Sequence, residues 1–382
     1  MTDANTATLL VWNANGTEMR EEFRLPTFPN ILDDFDNLPS DLKETVAKLE
    51  ELSGSQITTL QKIAHNHYIV YDACTADDRH FIIRILNVDT NTELDFSKDK
   101  FRRGCDVMNW ISSSSKIPIP RIYFYTAEYR TAEQLAPYMI TSKCNGKLLA
   151  NTFGVLPFEA KVANIRSYAS IAIELWRINA PSGIGSVSSL DSVSNIPVIG
   201  PSILPSELEP PTVNKLNSSN IGYSEQDLDE ARRTLKRLEG LVSQHIAYYD
   251  AALLRNVPTH EDMYPQNVLV NDRGLITGII DWEYHMVKPA VLAAAYPYWI
   301  RYDGLRNPQS MNRDSLPSAF RFSSPGDATE LRKVYEEIVI ELDPEYHLAL
   351  KGGEFCRIAR EWLFPGLNDL GCRHLKAWLD SL

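Results

Sequence analysis

The sequence predicts an α+β chain: a small antiparallel sheet carrying one long helix, followed by a larger, mainly helical part. Two observations predict it. Apolar and aromatic runs broken by turns are concentrated between residues 58 and 142, whereas beyond residue 158 apolar residues recur at helical spacing. The 382-residue length is enough for two lobes with substantial cores.

Residues 1–38 mix a short apolar stretch, Leu9–Trp12, with prolines and acidic turns, and read either as an arm on the domain or as a loose leader. Leu42, Val46, Leu49 and Leu52 share one face of a helix over Ser40–Leu52, with Ser40 placed as its N-cap. Thr58–Cys74 and His80–Leu86 read as strands joined by a turn at Thr75–Asp78. A helix over Phe96–Ser112 is followed by Ile117-Pro118-Ile119-Pro120, which must be extended because proline disfavours a helical residue before it. Ile122–Tyr125 and Tyr138–Ser142 complete a five-stranded sheet.

Helices follow at Phe158–Asn179 and Asp227–Ala252, the second capped by Ser224 with Asp227 three residues on. Others are expected at Ala328–Leu342, Glu354–Leu363 and Leu375–Leu382. Between the first two lies Pro181–Tyr223, rich in Ser, Pro, Gly and Asn, which reads as a lid or a mobile insertion. The resulting division is an arm over 1–38, an N-terminal lobe over 39–142 and a C-terminal lobe over 143–382, with the lid-like insertion at 181–223.

The formal charge of −12 argues against nucleic acid or an anionic membrane as the main partner and is compatible with a cationic substrate. Cys74, Cys105, Cys144, Cys356 and Cys372 are odd in number, scattered, and without metal-ligand spacing, as expected of reduced thiols. With no apparent secretory signal and no apolar run of membrane-spanning length, a cytoplasmic protein is the default expectation. Oligomeric state is not readable from the sequence.

The most informative segment is Thr259–Glu283. Asp262 and Asn267 lie five positions apart on one loop. Val268–Val270 reads as a strand, Asn271–Gly274 as a turn and Leu275–Ile280 as the returning strand, which delivers Asp281 back to the loop. Three acceptor side chains thus converge, as needed to hold Mg²⁺ against nucleotide phosphates and to take a hydroxyl proton. The competing reading makes Asp262 and Asp281 ordinary turn acids beside a buried strand pair.

His260-x-Asp262-x-x-x-x-Asn267, a hairpin, and Ile280-Asp281-Trp282-Glu283 together resemble the signature of the aminoglycoside phosphotransferase and choline kinase-like family, and the short turns at Gly183–Ser186 and Val198–Pro201 resemble its fungal members. The resemblance implies a two-lobed protein-kinase-like fold and an ATP- and Mg²⁺-dependent transfer to a hydroxyl group of a small molecule. By the same resemblance Asp262 orients the acceptor hydroxyl, His260 braces the loop, and Asn267 and Asp281 ligate the metal. Arg84, in Phe81-Ile82-Ile83-Arg84, stands where the family carries a phosphate-binding Lys. Ser142 and Cys144 fall at the interlobe hinge, where backbone groups meet adenine, and Asn66 falls in the phosphate-covering loop.

Two departures are visible. Ile63–Tyr68 has no glycine where a phosphate-covering loop normally does. The helix glutamate that would pair with residue 84 is replaced by Gly104, leaving Asp106 as the nearest acid, about two positions out of phase. Arg84 is otherwise a strand residue facing solvent. On the substrate side Glu283 and Glu361 are candidates for binding an ammonium group, with Asp369 beside them and Trp282, Tyr298, Trp299 and Trp362 as ring partners or as core. The rival functions are a kinase-fold binding or regulatory protein, and a cleft reused for another natural-product reaction.

Overall fold

The computed structural model describes residues 6–12, 18–24, 38–87, 94–128, 136–203, 224–300, 322–363 and 373–382. The chain opens with a hairpin, β1 (Thr6–Trp12) and β2 (Glu18–Arg24), in the region expected to be an arm. Helix α1 (Ser40–Ser53) follows. Its N-cap is Pro39 and not Ser40, which is the first helical residue.

Five strands then build one antiparallel sheet: β3 (Ile57–His65), β4 (Tyr68–Thr75), β5 (His80–Leu86), β6 (Ile122–Thr126) and β7 (Tyr138–Ser142), in the order β3-β4-β5-β7-β6. The long helix α2 (Leu94–Ser114) crosses between β5 and β6. Strand alternation sorts the side chains between two faces. Phe81, Ile83 and Ile85 of β5 pack with Leu42, Val46 and Leu49 of α1. The opposite face sets Leu86 with Tyr68 and Met139 against Phe101 and Cys105 of α2. Arg84 shares that second face.

The same helix turns Val107, Met108, Trp110 and Ile111 into the large second core, so α2 joins the two lobes. This core begins with β8 (Lys147–Leu148), α3 (Leu149–Thr152) and α4 (Phe158–Arg177). After them come the hairpin β9 (Ser186–Leu190) and β10 (Pro197–Gly200), α5 (Glu225–Ile246), α6 (Ala251–Leu254) and β11 (Asn256–His260). Strands β12 (Val268–Val270), β13 (Ile276–Ile279) and β14 (His285–Pro289) precede α7 (Ala290–Ala293). Four helices close the described chain: α8 (Pro325–Leu342), α9 (Pro344–Gly352), α10 (Glu354–Leu363) and α11 (Arg373–Asp380). Helix α9 was not anticipated, since Pro344 breaks what periodicity alone would continue from α8; proline is tolerated in the first helical turn, and Asp343 caps the new start. The predicted Ser224–Asp227 capping box is present at α5. Among the described residues, no helix is long and apolar enough to cross a membrane.

Residues 181–203 of the stretch expected to be a lid are instead tied down. Gly185 and Val287 exchange backbone hydrogen bonds of 3.0 and 2.6 Å. Gly185 has φ +152°, and a Cβ there would lie 2.0 Å from the carbonyl oxygen of Gly200, so only glycine fits this crossing. Val187 N–H donates to Nε2 of the buried His285 at 3.0 Å, while His285 Nδ1 lies 2.9 Å from the Trp282 carbonyl. Burial lowers the His285 pKa to about 4, keeping the ring neutral with one nitrogen donating and the other accepting. Arg102 of α2 donates to the Ser188 carbonyl at 2.6 Å. The hairpin is therefore a strut between α2 and the segment that follows Asp281.

Candidate active site

The segment Thr259–Glu283 folds as its alternation dictates. β12 and β13 pair antiparallel, with Asn271 N–H donating to Leu275 O (3.0 Å) and Gly274 N–H to Asn271 O (2.9 Å) across the turn. At the open end, Ile280 N–H donates to Asn267 O at 3.0 Å, so the next residue, Asp281, emerges beside Asn267. Asp281 has φ +65°, a conformation that Asp tolerates better than most residues.

β11 pairs with β14, placing His260 opposite His285. His260 is buried, packs edge-on against Trp282 with ring centroids 4.7 Å apart, and bonds the Ile280 carbonyl through Nε2 at 2.9 Å. Its Nδ1 accepts from Asp262 N–H at 3.2 Å, so the proton resides on Nε2. Burial lowers its pKa. This neutral ring fixes the loop backbone to the end of β13.

Asn267 Nδ2 donates to the Asp262 carbonyl at 2.9 Å and to Asp262 Oδ2 at 2.8 Å. Asp262 Oδ1, Asn267 Oδ1 and Asp281 Oδ2 have no hydrogen-bond partner among the described residues. The two carboxylates are driven apart electrostatically. Burial, then the charge of Asp281, pushes the Asp262 pKa up to about 6. Burial also acts to raise that of Asp281, but the Arg84 guanidinium outweighs it and holds the carboxyl below its usual value. One acid is thus fixed as an anion and the other is poised near neutrality, the split expected of a metal ligand beside a proton acceptor.

Arg84 faces the cleft, not solvent. Its guanidinium lies 4.0 Å from the Tyr68 ring centroid and donates to Asp281 Oδ1 at 3.1 Å and Glu283 Oε1 at 2.8 Å. Glu283, 3% exposed, also meets Lys100 of α2, with Oε2 3.3 Å from Nζ. The expected counter-ion is corrected accordingly: Asp106 accepts from Arg102 (3.0 Å) and Tyr125 (2.9 Å) instead. A Cβ on Gly104 would lie 3.0 Å from Glu283 Cγ, so Gly104 provides the clearance through which Glu283 reaches Arg84. Lys100 stands one helical turn before Gly104, on the same face. That i, i+4 spacing was the available signal for Lys100, which sequence reasoning missed.

The same geometry corrects Glu283 as a substrate contact, because both carboxylate oxygens are engaged on the N-terminal lobe side. Glu261 is likewise buried, bonded to Lys288 at 2.6 Å and to Arg360; burial works against its charge, but these two cations hold its pKa low. Trp282 and Trp299 are core residues, 1% and 0% exposed. Tyr298 stacks edge-on with Tyr264 at 4.1 Å. The Glu361 and Trp362 side chains, and Asp369, lie outside the described residues.

On the side expected to meet the nucleotide, Ser142 N–H donates to the Arg121 carbonyl at 2.9 Å, so of its two backbone groups only the carbonyl remains for the expected adenine contact, beside the Cys144 backbone. Asn66 occupies a two-residue connection between β3 and β4, with its N–H donating to Tyr68 O at 2.9 Å. Asn87 Nδ2 donates to the Asn66 carbonyl at 2.9 Å and pins this turn to the end of β5. Asn87→Ala is expected to cost about 1 kcal/mol, read from urea unfolding, with faster amide exchange at residues 66–67.

Fold and site together define a kinase-like phosphotransferase architecture. The chain belongs to the phosphotransferase enzyme family: the APH family model matches residues 73–301. A similar protein, clavilactone A biosynthesis cluster protein Y of Ampulloclitocybe clavipes, is 29% identical over 378 residues, spanning 94% of this chain and 92% of that protein. Similar solved structures include the GDP and kanamycin complex of APH(2")-IIia (14% identity, TM-score 0.47, 89% of this chain and 100% of that one). They also include macrolide 2'-phosphotransferase MphH from Brachybacterium faecium (13% identity, TM-score 0.40, 87% and 97%).

Proposed function

We propose that the protein transfers the γ-phosphoryl group of ATP to a hydroxyl group of a small molecule, using Mg²⁺. The observation that supports this most is the presentation of three oxygen acceptors, on Asp262, Asn267 and Asp281, with no hydrogen-bond partner among the described residues. Hard oxygen donors of this kind suit Mg²⁺. Asn267 and Asp281 would hold it, and when bound it supplies charge neutralisation at the phosphate oxygens. Asp262 accepts the hydroxyl proton as the oxygen–phosphorus bond forms and the bond to the ADP oxygen breaks. The name of the relative from Ampulloclitocybe clavipes, a biosynthesis cluster protein, favours a natural-product intermediate as the acceptor.

The test is ATP consumption with Mg²⁺ over a panel of hydroxylated small molecules, with Asp262→Asn as the blank. Turnover on at least one acceptor, lost in the variant, is the expected outcome.

A second reading, a nucleotide-responsive binding protein, draws on the Arg84–Asp281 contact of 3.1 Å and the short glycine-free turn. Thermal shift separates the two. For the enzyme, ATP with Mg²⁺ raises Tm and Asp281→Ala removes most of the gain; at 100 times Kd the stabilisation is about 2.7 kcal/mol. A binding-only protein responds without regard to the metal, or not at all.

A further inference from the structure

Cys74, Asp78 and His80 form a cluster on the β4–β5 hairpin, outside the cleft. The sequence shows no metal-ligand spacing around its cysteines, but the hairpin creates one. Cys74 and His80 are directly opposed in the ladder, and Asp78, in the turn with φ +61°, closes over them. One ligand atom from each residue lies within 4.8 Å of the others. The thiol has two acceptors in reach, the Thr75 carbonyl at 3.5 Å and Asp78 Oδ1 at 3.9 Å.

His80 has a built-in orienting group. Its Nδ1 lies 3.0 Å from Asp72 Oδ1, and the other oxygen of Asp72 accepts from Lys143 at 2.6 Å. A carboxylate on one imidazole nitrogen sets the tautomer and leaves Nε2 as a lone-pair donor, the outer-shell arrangement common behind metal-bound histidines. Two independent features thus coincide: a cluster of three metal-ligating side chains, and a carboxylate that fixes the tautomer of its histidine.

We infer that Cys74, Asp78 and His80 bind a borderline or soft divalent cation of the Zn²⁺ class. Thiolate and imidazole donors disfavour Mg²⁺ and Ca²⁺ and suit zinc. Binding releases the Cys74 proton, and the thiolate and the Asp78 carboxylate then balance the two positive charges. The three protein donors leave one position of a tetrahedral ion to water. Lys143 immediately precedes the Cys144 hinge position, so the Asp72–Lys143 ion pair links this site to the interlobe connection.

The experiment is titration of the metal-free full-length chain with Zn²⁺ against a chromophoric chelator, and with Co²⁺ followed by its thiolate-to-metal absorption. Wild type is expected to bind one equivalent through this site with a thiolate–cobalt band. Cys74→Ser and His80→Gln are expected to lose that equivalent and the band, while Asp281→Ala retains both. Unchanged stoichiometry in Cys74→Ser and His80→Gln, or a cobalt spectrum without a thiolate band in wild type, overturns the assignment. Circular dichroism of each variant confirms folding, and Asp72→Asn, which keeps all three donors, is expected to weaken Zn²⁺ binding about 10–100-fold.

Discussion

Replacing Asp262 with Asn is expected to lower turnover by about 10²–10⁴-fold, the usual contribution of a positioned general base. The same change should stabilise the metal-free protein above pH 6. Asp262 has its pKa raised from 3.8 to about 6, chiefly by burial and by Asp281. A carboxyl shifted upward favours its protonated form in the fold. Its contribution is fully present below the unfolded value and is lost as pH rises through the folded value. Asparagine never ionises, and its amide oxygen still accepts from Asn267. By the size of the shift, discounted for solvent screening because Asp262 is only partly buried, Asp262→Asn should gain about 1–2 kcal/mol at pH 8 and much less at pH 4. Urea unfolding at the two pH values, paired with single-turnover kinetics, checks both halves. A variant that is both inactive and less stable at pH 8 contradicts the assigned role.

Glu283→Ala carries the largest expected stability effect. Glu283 compensates two cations, Arg84 and Lys100, that are 18% and 11% exposed at the side chain. For both cations burial opposes the charge, yet their pKa values are raised, with Glu283 the first attraction that offsets burial. Removing one partner from such a group strands charge in a poor solvent, at a cost of about 3–5 kcal/mol. The urea midpoint should fall accordingly with little change in slope. The double variant Gly104→Glu with Glu283→Ala returns an acid to the helix and should recover part of the loss, because it removes the 3.0 Å contact with Glu283 Cγ, although the 3.3 Å approach to the residue 283 Cα remains. A Glu283→Ala midpoint within experimental error of wild type would show that Arg84 and Lys100 are solvated and the ion cluster is incidental.

The sequence disclosed the convergence of Asp262, Asn267 and Asp281 because its determinants are local. Asp262, Asn267 and Asp281 lie within twenty residues, and the hairpin between them follows from apolar alternation and a turn. The sheet and the long helix were legible for the same reason. What stayed hidden depends on distant pairing. Arg84 and Glu283 are 199 positions apart, so helical phase on α2 pointed to Asp106, while the acid reached Arg84 from the other lobe through the gap at Gly104. Gly104 therefore read as a missing residue when it is a clearance. The segment 181–203 looked like a lid because its small polar residues lack periodicity. Its attachment runs through backbone groups, Gly185 to Val287 and Val187 to His285, which no side-chain pattern records. At Ser142, similarly, the engaged amide is a property of the neighbouring Arg121 backbone.

The central claim is that Asp281 and Asn267 hold a divalent cation beside Asp262. Mn²⁺ titration in the presence of ADP, followed by electron paramagnetic resonance, tests it most directly in wild type, Asn267→Ala and Asp281→Ala. The account predicts a nucleotide-dependent Mn²⁺ site in wild type that is weakened at least tenfold in both variants, each removing a direct ligand that costs about 1.4 kcal/mol or more. Equal Mn²⁺ binding in all three proteins would contradict it.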